Sequence, residues 1–516
     1  MNVSPRTTTA LAALALAFTA ACGGKTPAPA PAAPPPAPAP PPAAEQVDPR
    51  YAALPEPTPA VDWTPPHGTH FTLKNGIRVW HLEHGSTPLV SLQVVIPRGA
   101  AADPEDLAGL TYLLADMLDE GAGKRSALEL SDELGLLATD YEATAGVDYM
   151  LLGMNLLAEN LEASVALLSD ILRRPRLPKD EFERRKHDLL AQIIASEAQP
   201  RATQSVAVHR VLFGSGYAGF LPRGTRQSVE AITYRDLKNH HQRMIAPEGI
   251  EIVTVGGVSE DRVRQVLEEA LGDWQGKARV EARAVAPAPE RLPIYVVHYP
   301  GAAQSALTVA KRAAGANAPD YFPGLVANRP IGESFTSRIN LNLREEKGYT
   351  YGARSDIRRY RQAGYFGVST NVRTDVTRAS LDEIFRELGE LCTKRPLTQA
   401  ERDEAVSGLL LGYPATFERV DQVAMRLASV PIYDRPVDFW QTWPDRVEAV
   451  GVEEANALAQ TLCDPSEYVI VIAGDHAAIE GDLAGLGREI VELDRSGNIQ
   501  APAPKEGPTG PGAAPR

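Results

Sequence analysis

Two short segments hold the residues whose types and spacing best fit chemistry at a protein site. The first, residues 343–352, reads Leu-Arg-Glu-Glu-Lys-Gly-Tyr-Thr-Tyr-Gly, so Arg344 and Tyr351 flank Gly348. An arginine offers five donors and a fixed charge, and a tyrosine hydroxyl can bond a developing oxyanion. Arg344 and Tyr351 are therefore candidates for contact with a bound substrate. The alternative is that Arg344 is one charge in a solvated helical run.

The second segment, residues 109–121, reads Gly-Leu-Thr-Tyr-Leu-Leu-Ala-Asp-Met-Leu-Asp-Glu-Gly, and helical spacing sets Tyr112, Ala115 and Asp116 on one face. A catalytic zinc needs three ligands with nitrogen, sulfur or oxygen lone pairs and an open position for water. A nearby carboxylate must take a proton from that water. Neutral tyrosine is a poor ligand and alanine cannot act as a base, so only Asp116 could coordinate. An active protease that uses Asp116 and Asp119 with another metal is an alternative.

The two segments together resemble the insulinase/pitrilysin/mitochondrial-processing-peptidase family of zinc metallopeptidases. The zinc segment of that family normally reads G-L-A-H-x-x-E-H-M, and this chain has Tyr112 and Asp116 at the two histidines and Ala115 at the glutamate. The third zinc ligand of the family is a glutamate on a later helix, where this chain has Gln192 beside Ala191. The resemblance therefore implies that the metal positions are degenerate and that this chain holds no cofactor of its own.

The substrate-binding segment of the family is retained. Residues 337–351 follow the family pattern S-R-L-x-x-x-L-R-E-x-x-G-L-A-Y, and Arg344 and Tyr351 match the Arg and Tyr that hold the substrate backbone. A lost metal site with a retained substrate segment is the pattern of the non-catalytic subunit of two-chain peptidases, which lacks H-x-x-E-H.

The resemblance implies a substrate-binding subunit of a heterodimeric zinc endopeptidase that acts on peptides in the bacterial cell envelope. The zinc would lie in a paralogous partner chain, and this chain alone would be inactive. The alternative is a peptidase-dead scaffold or peptide-binding envelope lipoprotein without a protease partner. The net charge of −14 argues against nucleic acid as a partner, because nucleic-acid-binding proteins usually carry a basic patch.

Two groups of histidines have spacings that do not favour a metal site. His81 and His84 flank Glu83, which is not the i, i+4 spacing that puts two histidines on one helical face. They follow a predicted strand, and we interpret them as part of a solvated turn. His240 and His241 are interpreted in the same way, as a polar helix end.

The chain is an internal duplication. Residues 229–232 recur as 447–450, and residues 247–256 match 465–474, each 218 residues later. Runs of Val, Ile and Leu bounded by Gly, Pro or Asp predict strands in both halves. Strands and helices in blocks favour an α+β fold. The resemblance specifies two homologous α/β sandwich domains, with mostly antiparallel sheets and packed helices.

The two predicted domains occupy residues 67–280 and 281–490. In the first domain, a helix over residues 105–120 carries the degenerate metal positions. Asp103 is its predicted cap, and Pro104 suits its first turn. This helix must present the face with Tyr112, Ala115 and Asp116 toward the rest of the site.

The ends of the chain predict targeting and little structure. Residues 1–22 resemble a bacterial lipoprotein signal peptide, with an apolar run too short to span a bilayer and Cys22 as the lipidated residue. Thr19 stands where Leu is usual, so cleavage by an ordinary signal peptidase stays open. Residues 23–66 read as a Pro/Ala-rich linker and residues 491–516 as a disordered tail. These features predict a periplasm-facing lipoprotein of the bacterial envelope, in the outer membrane.

Cys392 and Cys463 are the remaining cysteines. They could pair in an oxidising envelope, but two cysteines make no disulfide framework. We interpret them as two separate buried thiols.

Overall fold

The computed structural model describes residues 63–500, and these belong to one compact unit. Residues 1–62, with Cys22 and most of the predicted linker, lie outside the described part, as do residues 501–516. Between residues 63 and 500, no helix combines the length and the apolar composition needed to cross a membrane.

The first half folds around a six-stranded sheet. Its strands are β1 (Thr69–Thr72), β2 (Arg78–Glu83), β3 (Leu89–Ile96), β4 (Asp140–Ala145), β5 (Met150–Leu157) and β6 (Glu251–Gly256). They are hydrogen-bonded in the order β1-β2-β6-β3-β5-β4. β2 and β6 are parallel, whereas the other neighbours are antiparallel. β3 and β6 are buried along nearly their whole length, as expected for central strands.

The second half folds around another six-stranded sheet. Its strands are β7 (Ile294–His298), β8 (Gln304–Ala313), β9 (Ala353–Arg359), β10 (Gly364–Arg373), β11 (Val469–Gly474) and β12 (Ile490–Leu493). They are hydrogen-bonded in the order β12-β7-β11-β8-β10-β9. β7 is parallel to both β11 and β12, and the other neighbours are antiparallel.

Apart from one edge strand, the two sheets have the same topology. The order β2-β6-β3-β5-β4 recurs as β7-β11-β8-β10-β9, with the parallel pair at the equivalent place. The repeated residues 247–256 and 465–474 contain β6 and β11, which occupy equivalent central positions. The two edge strands differ in their place along the chain. β1, which lies beside β2, comes before it in the sequence, whereas β12, which lies beside β7, comes after β11. The predicted α+β fold of two homologous domains with mostly antiparallel sheets is confirmed.

Helices pack on both sheets. Those of the first half are α1 (Leu110–Met117), α2 (Ala127–Leu136), α3 (Leu161–Arg173), α4 (Lys179–Glu197), α5 (Pro200–Phe213), α6 (Arg226–Ala231), α7 (Tyr234–Met244) and α8 (Glu260–Leu271). Those of the second half are α9 (Tyr321–Asn328), α10 (Arg338–Asn340), α11 (Thr377–Glu390), α12 (Gln399–Gly412), α13 (Val420–Tyr433), α14 (Phe439–Glu448), α15 (Val452–Gln460) and α16 (His476–Ala484). The segment Leu341–Glu346 continues α10 as a wider π-helical turn.

Each half lends one helix to the sheet of the other half. α5 packs on β8 and β11 of the second sheet, and α13 packs on β3 and β6 of the first. Phe213 of α5 is buried in one cluster with Val471 of β11. Leu427 of α13 is buried in one cluster with Val253 of β6. Separation of the halves would therefore expose apolar side chains of both clusters to water.

The helix predicted over residues 105–120 is shorter in the structure. A 3-10 turn covers Glu105–Leu107, and α1 begins only at Leu110. The interruption arises at Gly109, whose φ of 103° is a left-handed conformation that L side chains avoid. A Cβ at this position would also lie 2.8 Å from the backbone oxygen of Arg223. The glycine that opens the motif is thus a structural requirement.

Two predicted boundaries differ from the structure by a few residues. Trp63, assigned to the linker, packs its ring 5.3 Å from the ring of Phe417. Residue 491, at which the disordered tail was predicted to begin, lies inside β12 in the structure. The buried Leu493 of this strand pairs with Val297 of β7. In both places a short apolar stretch packs on a core, and composition averaged over a longer segment does not reveal it.

Cys392 and Cys463 form a disulfide, with their Cα atoms 6.1 Å apart. The interpretation of two separate thiols is therefore wrong. α11 ends at Glu390 and α15 ends at Gln460, so the bond joins the segments that follow two helices. These segments are 71 residues apart in sequence and meet only in the folded chain.

Candidate functional site: a degenerate metal face and a retained substrate segment

The N-terminus of α1 is held by Asp103. The Asp103 carboxylate accepts hydrogen bonds from the backbone N–H of Gly109 at 3.0 Å and of Thr111 at 2.9 Å. It also accepts one from the Thr111 hydroxyl, which lies 2.8 Å from Nε2 of His240. Burial raises the pKa of Asp103 to about 7, against these hydrogen bonds, which lower it. His240, predicted at a polar helix end, is instead buried in this cluster.

The four degenerate metal positions lie in different environments. Ala115 is buried in the core of the first half, and Tyr112 is half-buried against the same core. Asp116 is half-buried, whereas Gln192 on α4 is exposed. The other three side chains are a methyl group, a phenol and a solvated amide, so Asp116 is the single carboxylate among the four.

Helix α4 supplies arginines to the carboxylates of α1 and the turn that follows it. Nη1 of Arg185 lies 3.4 Å from Oδ1 of Asp116, and its Nε donates to Glu120. Nη2 of Arg184 donates to Glu120 at 2.6 Å. Burial raises the pKa of Asp116, although the charge of Arg185 acts to lower it. Two guanidinium groups thus supply the positive charge that this acidic face requires.

These residues do not fit the zinc ion that active members of the family hold at these positions. Zinc requires three protein ligands, and its charge would be repelled by Arg185 beside Asp116. Between residues 63 and 500, no group of three or more His, Cys, Asp and Glu side chains is arranged to hold a metal. The alternative of Asp116 and Asp119 with another metal has no third ligand in this part of the chain. The face of α1 has the chemistry of an ion-pair cluster.

The segment from His81 to His84 is not the solvated turn that was predicted. β2 continues to Glu83, so His81 is buried and its Nδ1 lies 2.9 Å from Oγ1 of Thr254 on β6. Burial lowers the pKa of His81. Nε2 of His84 donates to the backbone oxygen of Phe417 in the second half at 2.9 Å. The two histidines therefore hold structure together at separate places.

Arg344 lies on the π-helical turn that follows α10, and its side chain is 33% exposed. The guanidinium carbon lies 4.5 Å from the ring centre of Phe335, and Nη1 lies 3.5 Å from Oε1 of Glu345. Among the described residues this buried Nη1 has no hydrogen-bond partner. The aromatic ring of Phe335 holds the cation in place, and the partly exposed guanidinium has further N–H donors that can bind a carbonyl or carboxylate oxygen.

A polar network fixes the turn that carries Arg344. The amide of Asn342 donates to Oε2 of Glu383 on α11 at 2.9 Å, and Nζ of Lys347 lies 3.0 Å from Oε1 of the same carboxylate. Burial acts to raise the pKa of Glu383, but hydrogen bonds from Asn342, Arg386 and Lys347 lower it to about 2. Glu383 thus fixes the turn that carries Arg344.

Tyr351 is 94% exposed. Gly348 has a φ of 64°, which ends the helical turn, and the hydroxyl of Thr350 accepts a 3.0 Å hydrogen bond from the backbone two residues later. Thr370 of β10 donates to the same hydroxyl at 2.9 Å. The ring projects into solvent from a backbone that is fixed to the sheet. The structure places Tyr351 and Arg344 on one segment, and no hydrogen bond joins them in the described part.

A polar pocket of about 490 Å³ opens beside Tyr351. Its walls combine Arg201 and Gln204 of α5 with Gln304, Arg354 and further polar residues of β8, β9 and β10. Sequence analysis missed the two arginines. No spacing signal could have found them, because Arg201 belongs to the first half and reaches this place only through the exchange of α5.

The fold and the site define a peptidase-like protein of two duplicated α+β domains, in which residues 63–500 present no group of side chains arranged to hold a metal. Residues 78–218 match the family model described as insulinase (peptidase family M16), and residues 231–409 match the one described as peptidase M16 inactive domain. The chain belongs to the insulinase (M16) family of peptidases.

Individual relatives agree with this assignment. The chain is 22% identical over 417 residues to an uncharacterised zinc protease of Mycobacterium bovis, covering 79% of this chain and 93% of that protein. It is 25% identical over 202 residues to cytochrome b-c1 complex subunit 1 of Caenorhabditis elegans, covering 39% of this chain and 42% of that protein. Its fold is similar to a crystal structure of a peptidase M16 inactive domain from Pseudomonas fluorescens, with a TM-score of 0.73 and 22% identity over 79% of this chain and 98% of that one.

Proposed function

We propose that this chain is the non-catalytic, substrate-binding subunit of a heterodimeric zinc endopeptidase that acts on peptides in the bacterial cell envelope. A paralogous partner with an intact H-x-x-E-H motif holds the zinc, and Arg344 and Tyr351 of this chain hold the peptide. The chain alone does not hydrolyse peptides, because Ala115 provides no general base and the neighbouring positions provide too few zinc ligands.

The contrast between the two segments carries this proposal. On the face of α1, the carboxylates of Asp116 and Glu120 are paired with Arg185. Arg344, a third exposed, has a neighbouring carboxylate only in the exposed Glu345 at 3.5 Å, and Tyr351 is almost fully exposed. A partly exposed arginine and an exposed tyrosine on a segment that is fixed to the sheet can both contact a bound peptide.

The proposed location is the outer membrane, with Cys22 as the lipidated residue and residues 23–66 as a spacer. The disulfide between Cys392 and Cys463 supports an oxidising compartment, because such bonds are rare in the cytosol. Cys22 lies outside the described residues, so its role needs a direct test. Mass spectrometry of the N-terminal peptide from the membrane fraction should show lipid on Cys22. Cys22→Ser should release the chain into the soluble fraction, and retention in the membrane would contradict the anchor.

The test of the function is reconstitution. This chain is mixed with a zinc-bearing M16 paralogue from the same genome, preferably one encoded beside it, and cleavage of a fluorogenic peptide is followed. We expect activity from the mixture and none from this chain alone. Arg344→Ala and Tyr351→Phe should each lower kcat/KM of the mixture about 100-fold, the typical loss when one donor to a developing oxyanion is removed.

A matched control is Arg291→Ala, which removes an arginine whose side chain is 84% exposed at a different place in the second half. This variant should leave the activity of the mixture unchanged. An active mixture that is indifferent to both Arg344→Ala and Tyr351→Phe would show that the role assigned to these residues is wrong. Zinc measured by elemental mass spectrometry should be near zero in this chain and near one per heterodimer.

A second candidate function is a scaffold or peptide-binding envelope lipoprotein without a protease partner. The similarity to a cytochrome b-c1 complex subunit favours it, because that relative is named as part of a multi-subunit complex. Affinity purification of the chain from its membrane distinguishes the two. Recovery of a zinc-bearing paralogue supports the peptidase subunit, whereas a complex without any M16 paralogue supports the scaffold.

A further inference from the structure

We propose that the pocket between α5 and the second sheet is a carboxylate-binding subsite. In it, Arg201 and Arg354 hold the terminal or side-chain carboxylate of a bound peptide. The inference rests on the proposed function, because it assigns a class of substrate, peptides with a carboxylate near the Tyr351 end of the site, to the same chain. It adds two contact residues that lie outside the Arg344–Tyr351 segment.

Strand pairing places Arg354 on the face of the sheet that α5 covers. Ser369 of β10 is paired with Arg354 of β9 on one side and with Thr308 of β8 on the other. Cross-strand partners project to the same face of a sheet, so these three side chains form one row. Gln204 of α5 donates to Thr308, which identifies the face that carries this row as the one beneath α5.

The first turn of α5 leaves part of this face uncovered. α5 begins at Pro200, so Arg201 stands in its first turn and Gln204 lies one turn further. Gln304 on β8 and Asn371 on β10 share the face, because alternate residues of a strand point the same way. The uncovered area forms the pocket of about 490 Å³, and Tyr351 stands at its wall.

The pocket is cationic and has no internal counter-charge. No carboxylate lines it, and among residues 63–500 neither Arg201 nor Arg354 forms an ion pair. Asp356, two residues further on the same face of β9, pairs with Arg358 at 3.4 Å. Both arginines are exposed to solvent, and two guanidinium groups without a counter-charge in one pocket attract an anion. In a chain with a net charge of −14, such a pocket stands out as an anion site.

The chemistry of the walls selects a peptide carboxylate among anions. Guanidinium groups bind planar carboxylates through two parallel hydrogen bonds. The dipole of α5 adds a partial positive charge at the end of the helix where Arg201 stands. Gln304 and Asn371 offer both amide donors and acceptors, which match the backbone N–H and C=O groups beside a peptide carboxylate.

The test is binding of matched probes to the full chain. Three fluorescent nonapeptides of Ala, Gly and Leu are compared by anisotropy: one with a free C-terminal carboxylate, one with a C-terminal amide, and one amidated peptide with a glutamate near its C-terminus. We expect the carboxylate to tighten binding about tenfold, the size of one charge-assisted hydrogen-bonded contact. Preference for the first peptide assigns the terminal carboxylate, and preference for the third assigns an acidic side chain.

Variants show whether the two arginines supply this preference. Arg201→Ala and Arg354→Ala should each lower affinity for the carboxylate peptides about tenfold and leave the amidated glutamate-free peptide unchanged. Arg291→Ala is the matched control and should change none of the three. Equal binding of all three peptides by the unmodified chain would overturn the subsite. So would a carboxylate preference that survives both substitutions.

The failure of the subsite can be told apart from the failure of the proposed function. Loss of the carboxylate preference in Arg201→Ala and Arg354→Ala, with no cleavage from any mixture with a zinc-bearing paralogue, supports the subsite and contradicts the peptidase role. Cleavage that depends on Arg344, with no preference for carboxylate peptides, supports the peptidase role and overturns the subsite.

Discussion

Among single residues, Glu120 is the centre of the charges beside α1. Its carboxylate is 5% exposed and accepts hydrogen bonds from both Arg184 and Arg185. Asp116, which stands at a ligand position of the family, is 41% exposed and lies 3.4 Å from Arg185. Removal of one partner from a buried charge pair costs much stability, whereas exposed pairs contribute little. We therefore expect the stability of this cluster to depend on Glu120.

Substitution tests this difference between the two carboxylates. Glu120→Ala should lower the free energy of unfolding by about 2 kcal/mol, because Arg184 and the half-buried Arg185 lose the buried acceptor that they share. Asp116→Ala is the matched control and should lower it by less than about 0.5 kcal/mol. Urea unfolding followed by circular dichroism measures both. A larger loss for Asp116→Ala than for Glu120→Ala would contradict this account of the face.

At the scale of elements, α1 depends on an acceptor outside its own N-cap. Gly109 occupies the N-cap and offers no side chain. Asp103 instead accepts hydrogen bonds from the backbone N–H groups of Gly109 and Thr111, which follow it by six and eight residues. α2 shows the ordinary arrangement, in which Ser126 at the N-cap and Glu129 form a capping box on the surface. Loss of the buried acceptor Asp103 should cost more stability than loss of the exposed cap Ser126, because a buried N–H without an acceptor cannot form a hydrogen bond with water.

We predict that Asp103→Ala lowers the free energy of unfolding by about 2–3 kcal/mol, since three donors lose their buried acceptor. Ser126→Ala, which removes an exposed cap, should cost about 1 kcal/mol. Thermal unfolding gives the two losses, and hydrogen exchange at the amides of Gly109 and Thr111 locates the first. Equal losses for both variants would mean that the distant acceptor has no special role.

The disulfide is a second constraint between elements. It closes a loop across 71 residues, so its removal should lower the free energy of unfolding by about 4 kcal/mol on the chain-entropy model. The double variant Cys392→Ser, Cys463→Ser should unfold at a lower temperature than the oxidised chain. Reductant should lower the unfolding temperature of the unmodified chain and leave that of the double variant unchanged. An unmodified chain that is insensitive to reductant would contradict the bond.

At the scale of the whole molecule, the exchange of α5 and α13 joins the two duplicated domains into one unit. His209 of α5 lies at this junction. Its Nδ1 lies 2.9 Å from the backbone oxygen of Ser205, and its Nε2 lies 2.7 Å from the hydroxyl of Tyr360 in the second half. Burial lowers the pKa of His209 to about 4, although the hydrogen bond to Ser205 acts to raise it.

This lowered pKa predicts acid sensitivity of the junction. A histidine whose pKa is below its ordinary value of about 6.5 in the folded chain stabilises the fold above that pH, and this stability is lost as the pH falls toward 4. The free energy of unfolding should therefore fall by roughly 2–3 kcal/mol more in the unmodified chain than in His209→Gln between pH 6.5 and 4. Denaturant titrations at several pH values measure the difference. Parallel pH profiles of the unmodified chain and His209→Gln would show that protonation of His209 does not destabilise the junction.

The sequence by itself determined which central elements form and which side chains stand at the metal and substrate positions of the family. Val-, Ile- and Leu-rich runs predicted the central strands β3, β6, β8 and β11, because burial on both faces leaves a continuous apolar pattern. The repeat of residues 247–256 at 465–474 predicted the duplication. Residue identity alone showed that Ala115 cannot act as a base and that Arg344 and Tyr351 follow the substrate segment of the family.

Only the tertiary structure decided which of these residues meet. The short helix α1, the disulfide of Cys392 and the burial of His81 depend on neighbours that are far away in sequence. The same holds for the pairing of Asp116 with Arg185 and for the pocket that joins Arg201 to Arg354. Local periodicity reports the face on which a side chain lies, but contacts between halves follow from how exchanged helices dock on sheets. Composition and spacing within a segment do not predict how these helices dock.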